Sequence, residues 1–179
     1  MNFITVTAQI LGISAMLLTV FSMQCRSNRN FFICQELAGA FFTISFAMFG
    51  AWSGAVMNLF GIIRPELLRR EKIAKLKLTL VGLLVLLVIC SVSVLIIFDE
   101  KWYLCMIVGI AQTAGTYFMW TQNGRKIRLC QLFAVSPLWL MYNLLLAVPS
   151  IGGILTELIN IISGIIALIR YRKIGFTER

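Results

Sequence analysis

The chain has 179 residues, 60% of them hydrophobic and 13% charged, with a mean hydropathy of +0.92 and a net charge of +9. That balance excludes a soluble catalytic domain, a coiled coil, a collagen-like repeat and a disulfide scaffold, and it places the chain among the all-α membrane proteins. Histidine is absent, which removes the usual proton shuttle and the commonest metal ligand, so no catalytic residue, metal or cofactor is expected and the chain is read as no enzyme.

Apolar stretches run, in chain order, over residues 3–24, 31–49, 51–68, 77–98, 102–121, 128–148 and 151–170. A spanning helix needs about 20 such residues, so the expectation is seven transmembrane helices. No small-residue cleavage site follows the first, which is read as a retained helix. Asn58 and Pro65 interrupt the third, and Pro65 is expected to end it. The fourth is almost pure Leu, Val and Ile, the composition of a lipid-facing spacer. None of the five cysteines has CxxC spacing, so neither a disulfide framework nor a zinc site is expected.

Charge sorts along this sequence as the seven spans require. Arg26 and Arg29 follow the first helix, Arg64, Arg69, Arg70, Lys72, Lys75 and Lys77 the third, Arg125, Lys126 and Arg128 the fifth, and Arg170, Arg172, Lys173 and Arg179 the seventh. Lys101 alone falls on the opposite face. Basic loops stay in the cytoplasm, which puts Met1 outside and Arg179 inside a multi-pass protein. The positive charge is then topological; membrane lipids surround the chain and no nucleic acid is expected as a partner.

With the fourth helix set aside, two triplets remain whose connections repeat one pattern: basic, neutral, basic. The expected architecture is therefore two parallel three-helix bundles plus a linker helix, a 3+1+3 arrangement with a first bundle at 1–72, the linker at 73–100 and a second bundle with a short tail at 101–179. Short echoes accompany it: Ala8-Gln9 and Ala111-Gln112, Cys34-Gln35 and Cys130-Gln131, Asn58 and Asn160.

This layout resembles the SWEET and PQ-loop transporter superfamily, although Ala8 and Ala111 stand where that signature has proline. The C-terminal third is similar to the YgjV-type family of bacterial inner membrane proteins, through Trp139, Tyr142-Asn143, Ser150-Ile151-Gly152-Gly153, Glu157 and Arg170. Tyr142 replaces a histidine of that pattern. The resemblance implies a bacterial inner (plasma) membrane location and, from the SWEET-like layout, Asn58 and Asn160 facing one another across a central cavity where a polar solute is bound.

Several residues carry the chemistry of such a site. A carboxamide in hydrocarbon needs partners for two donors and an acceptor, so Asn58 and Asn160 should face the interior, as solute ligands or as interhelical glue. Glu157 lies one turn before Asn160 on the same helix face; an acid at such depth pairs, lines water or stays protonated, which makes it a candidate for proton coupling or for binding a cationic group, with snorkelling to the interface as the alternative. Trp139 and Asn143, one turn apart, offer an aromatic wall beside an amide, suited to a sugar-like or vitamin-like solute, and Phe42 and Phe46 occupy the corresponding region of the second helix. Gln9 and Gln112 complete the expected polar set, while Glu36 is expected to pair with Arg26 or Arg29. The function that follows is a transporter or facilitator of a small polar solute by alternating access, the alternative being a non-transporting receptor or assembly factor; no oligomeric state is assigned.

Overall fold

A computed structural model describes residues 3–70, 77–99, 101–172 and Gly175. Seven helices fill them: α1 (Phe3–Gln24), α2 (Asn28–Met48), α3 (Trp52–Arg69), α4 (Lys77–Phe98), α5 (Trp102–Trp120), α6 (124–145) and α7 (Ile151–Arg170), with no strand among the described residues. Met1, Lys72, Lys75, Lys173, Arg179 and the bundle boundary expected at 72/73 lie outside them.

Local chemistry sets the tight turns. Gly50, at φ +70°, lets the chain reverse after α2, where the Gly50 and Ala51 amides bond back to Ala47 and Phe46 carbonyls; a non-glycine residue would pay a steric penalty there. The Ser150 hydroxyl accepts the Gly153 amide at 3.1 Å and starts α7, and Asn123 caps α6 by accepting the Lys126 amide at 3.0 Å. Within α6 the backbone widens into a π-helix over Gln131–Val135, two residues ahead of Pro137. Proline has no N–H and crowds the carbonyl four residues earlier, and a π-turn absorbs that misfit.

Four helices, α1, α2, α4 and α7, are long and apolar enough to cross a membrane by length and composition. The other three depart from that profile for visible reasons: α3 carries Arg64, Glu66 and Arg69, α5 carries Gln112 and Thr116, and the π-turn divides α6. Pro65 lies inside α3, which continues to Arg69, so the expected end at Pro65 is corrected. Proline there removes one bond, from residue 65 to the Gly61 carbonyl, and the amides that follow it still carry the helix on to Arg69. Arg64, read from sequence as a loop charge, is a buried residue of that helix, and α6 begins at Gly124 rather than 128.

Neighbouring pairs close a ring. Helix α1 packs on α2 and α7, α2 on α3, α3 on α5, α5 on α6, and α6 on α7. Among the described residues helix α4 packs mainly on α3 and α5, outside that ring, and its mostly exposed Leu, Val and Ile side chains suit a lipid-facing surface. Close approach is built in at the α1–α7 seam: a Cβ on Gly152 would lie 2.7 Å from the Gly12 carbonyl carbon. Such small-residue crossings give van der Waals contact where no hydrophobic driving force separates protein from lipid.

At one end of the bundle, polar contacts tie the basic turns together. Asn28 donates to the Gln122 carbonyl at 2.6 Å, Gln122 to the Leu68 carbonyl at 2.9 Å, and the Tyr171 hydroxyl to the Gln24 carbonyl at 3.0 Å. Arg128, fully buried, donates to the Cys25 carbonyl at 2.8 Å and stacks its guanidinium 4.6 Å from the Phe31 ring centre. The ends of α1, α3, α5 and α7 and the starts of α2 and α6 thus share one face. Trp52 and Phe98 stack at 4.5 Å at the opposite end.

Candidate functional site

The ring encloses a cavity of about 70 Å³, to which all six of its helices contribute and α4 does not. That volume is room for on the order of five water molecules. Along α2 the lining runs from Gln35 to Phe46, eleven residues and therefore roughly 16 Å of depth.

On the α2 wall, Gln35, Gly39, Phe42 and Phe46 follow the ordinary helical stripe. On α6 the lining residues are Gln131, Val135, Trp139 and Asn143, spaced by four. In an uninterrupted α-helix four-residue steps rotate about 40° each and drift off the face; the π-turn unwinds part of that drift and keeps all four aimed inward. Trp139 packs against Phe46 and Tyr142, with ring centres 6.1 and 5.4 Å away. The Tyr142 hydroxyl lies 2.9 Å from the Ser53 hydroxyl and accepts the Gly54 amide at 2.8 Å, and it lies outside the cavity lining. The residue replacing histidine is thus a fastener between α3 and α6.

The α7 wall presents Gly153, Thr156, Glu157 and Asn160. A Cβ on Gly153 would collide with the Asn143 carboxamide, so glycine is what lets Asn143 sit there. Asn143 spends its amide nitrogen on the Trp139 carbonyl at 2.8 Å, leaving its oxygen without a partner among the described residues. Both polar atoms of Asn160 and Oε2 of Glu157 are likewise buried and without a bonded partner there, although Ser136 and Asn160 are the polar neighbours of the Glu157 carboxylate. Unpaired buried polar atoms cost about 1–3 kcal/mol each, and four of them gather on this one cavity.

Arg64 faces the cavity from α3, only 6% exposed. Its Nη1 donates to Gln112 Oε1 at 2.6 Å and to Thr116 at 3.3 Å, while Gln112 donates onward to the Met57 carbonyl at 3.0 Å. Gly115 makes room: a Cβ there would stand 3.1 Å from Nη1. No carboxylate lies within ion-pairing distance of Arg64 among the described residues, and its Nε has no acceptor.

The cavity therefore brings together Asn58, Asn160, Trp139, Asn143, Gln112 and Glu157 of the sequence-derived set. Gln9 is the exception. It is half-buried on α1 outside the lining, one position beyond the fully buried Ala8, because that helix turns Thr19 inward instead. Asn58 lines the cavity with its amide nitrogen already given to the Gly54 carbonyl at 2.8 Å. Counted from the starts of their helices, Asn58 and Glu157 are each the seventh residue and Asn160 the tenth, just as Gly54 and Gly153 are each the third. Glu36 faces Arg69 on α3 at 3.7 Å rather than Arg26 or Arg29; Arg69 in turn joins Arg70 in holding Glu66. Arg64 was missed because a charge near a helix end reads as a loop residue, yet Asn58, Gly61 and Arg64 at three-residue spacing do mark one inward stripe. No group of three His, Cys, Asp or Glu side chains gathers to hold a metal among the described residues.

The sequence profile of Imp-YgjV, described as a bacterial inner membrane protein, matches residues 6–174, and the chain belongs to that family. No curated protein and no solved structure matches it, so none of these comparisons supports the SWEET-like layout.

Proposed function

We propose, with membership of this bacterial inner membrane family as the premise, that the chain carries a small polar solute through the central cavity by alternating access. One observation carries the reading: six helices converge on a cavity whose wall holds four buried polar atoms without a bonded partner among the described residues, on Asn143, Glu157 and Asn160. Packing glue satisfies its own atoms; these atoms are left for a guest or for water.

The ring's neighbour pattern supports the 3+1+3 arrangement. In each half the middle helix, α2 or α6, packs on both its companions, and the halves meet at α1–α7 and α3–α5, which exchange when the halves are exchanged. Those two seams are where one bundle would rock against the other. The gathering of basic turns at one end supports seven spans with the N-terminus outside and the C-terminus in the cytoplasm, and cysteine accessibility at Arg26→Cys and Lys101→Cys tests it: labelling from the same side would overturn the topology.

Asn160→Ala tests the carrier reading. The Asn160 carboxamide has Glu157 as its polar neighbour in the protein and no further bonded partner among the described residues, so unliganded stability should change by at most about 1 kcal/mol, while solute-dependent thermal stabilisation and flux into proteoliposomes are lost. A fall in unliganded stability with ligand response intact supports the alternative, a non-transporting membrane protein whose amides only fix packing. The Asn58 bond to its own helix and the Arg64–Gln112 contact are the features that fit that alternative. No covalent chemistry is proposed for the chain.

A further inference from the structure

The two charges on the cavity wall stand on opposite sides of the ring. Arg64 lies on α3 and Glu157 on α7, helices that are not neighbours in it. Both nonetheless reach toward the middle of their helices. Gly54 and Gly153, each third in its helix, lie against side-chain ends from one turn of α6, the Tyr142 hydroxyl and the Asn143 carboxamide, so α3 and α7 start at the same end of the ring. The Arg64 guanidinium folds back over the Phe60 ring, 5.8 Å from its centre, toward the ninth residue of α3. The Glu157 carboxylate has Ser136 and Asn160 as neighbours, the latter the tenth residue of α7.

Each charge is incompletely matched by the protein. Arg64 receives neutral oxygens from Gln112 and Thr116 and no carboxylate, while Oε2 of Glu157 has no donor among the described residues. A buried charge without a counter-charge is strongly destabilising. A neutral polyol would hydrate both groups and neutralise neither. A solute with a single charge would answer one side and leave the other exposed in the same low-dielectric space.

We propose that the solute is a small zwitterion of the amino acid type, its carboxylate bound by Arg64 and its ammonium by Glu157, with the Asn160 carboxamide and the Trp139 ring beside the ammonium end. This rests on the carrier reading and names its substrate class. Arginine presents a planar fork that suits a carboxylate, and an indole face attracts a cation. Glu157 then serves as a fixed counter-charge, and Gln112 and Gly115 act as positioning residues that hold the guanidinium toward the cavity.

The test uses the full chain in lipid nanodiscs with glycine, L-alanine, L-serine and 4-aminobutyrate as probes, beside N-acetyl-L-alanine, L-alaninamide and glucose. At least one zwitterion should bind, with its N-acetylated and amidated forms at least tenfold weaker. In Glu157→Gln that preference should collapse, N-acetyl-L-alanine binding no worse than L-alanine. Arg64→Gln should invert it toward the amide; should that variant fail to fold, Glu157→Gln alone decides. Binding of glucose without any zwitterion, or equal binding of L-alanine and N-acetyl-L-alanine by the native chain, would overturn the zwitterion while leaving a carrier in place. Absence of binding and flux for every probe overturns the zwitterion, and Asn160→Ala separately judges the carrier.

Discussion

Gly152→Ala is expected to disrupt the bundle, whereas Gly12→Ala across the same seam is expected to be nearly silent. A methyl on Gly152 would sit 2.7 Å from the Gly12 carbonyl carbon and 3.0 Å from both the Gly12 Cα and the Ile13 nitrogen. All three are backbone atoms of a regular helix, so no rotamer change relieves the contact; α1 and α7 must separate. Overpacking of this kind costs about 1–3 kcal/mol where neighbours can shift and more where they cannot, and we expect about 3 kcal/mol. A methyl on Gly12, by contrast, meets the Ser45 hydroxyl at 3.4 Å and the Gly152 Cα at 3.7 Å, ordinary contact distances, for an expected change below about 0.5 kcal/mol. Reversible unfolding of the two variants in mixed micelles reads the difference. Equal effects would mean that the α1–α7 crossing is not as described.

Arg128→Met should cost more than any other single substitution at the basic end, on the order of 3–5 kcal/mol. The guanidinium joins three chain segments: it donates to the Cys25 carbonyl between α1 and α2, to the Asn28 side chain at 3.4 Å, and to the Gly124 carbonyl at 3.3 Å, while lying over Phe31. Hydrogen bonds from a charged group contribute about 1.5–3 kcal/mol each, and the carbonyls left behind have little water to replace them. Methionine fills the volume and supplies none of these donors. Arg128→Lys restores the charge without the planar fork and should recover less than half of the loss. If the methionine variant unfolds with native stability, the residue is a passenger and the basic face is held elsewhere.

Much of the fold was legible from hydropathy and charge together. The runs at 3–24, 77–98 and 151–170 coincide with α1, α4 and α7, and the sorting of basic residues recovered α3, which apolarity alone passes over. The cavity was legible in part, because polar residues inside apolar helices have few places to go: Asn58, Asn143, Glu157 and Asn160 all line it. What stayed hidden depends on partners distant in sequence. Arg64 reads as a loop charge until Gln112 is seen beside it, and Arg128 until Cys25 and Asn28 are. Asn58 and Asn160 both line the cavity as expected, while counting from the starts of α3 and α7 sets Asn58 beside Glu157, a phase relation that matching residue types does not reveal. Nor does any residue type announce the π-turn, although Pro137 is its local cause.

The contact between Arg64 and Gln112 has a consequence for biosynthesis. The two residues are 48 positions apart in the chain, and ribosomes add about 5–20 residues per second, so for about 2–10 s the guanidinium of a nascent α3 exists without the amide that later receives it. During that interval α3 is poorly suited to enter lipid alone. On the proposed topology, its tight turn to α2 at Gly50 suits entry of the pair as a hairpin, with Arg64 leaving water for Gln112 once α5 has been made.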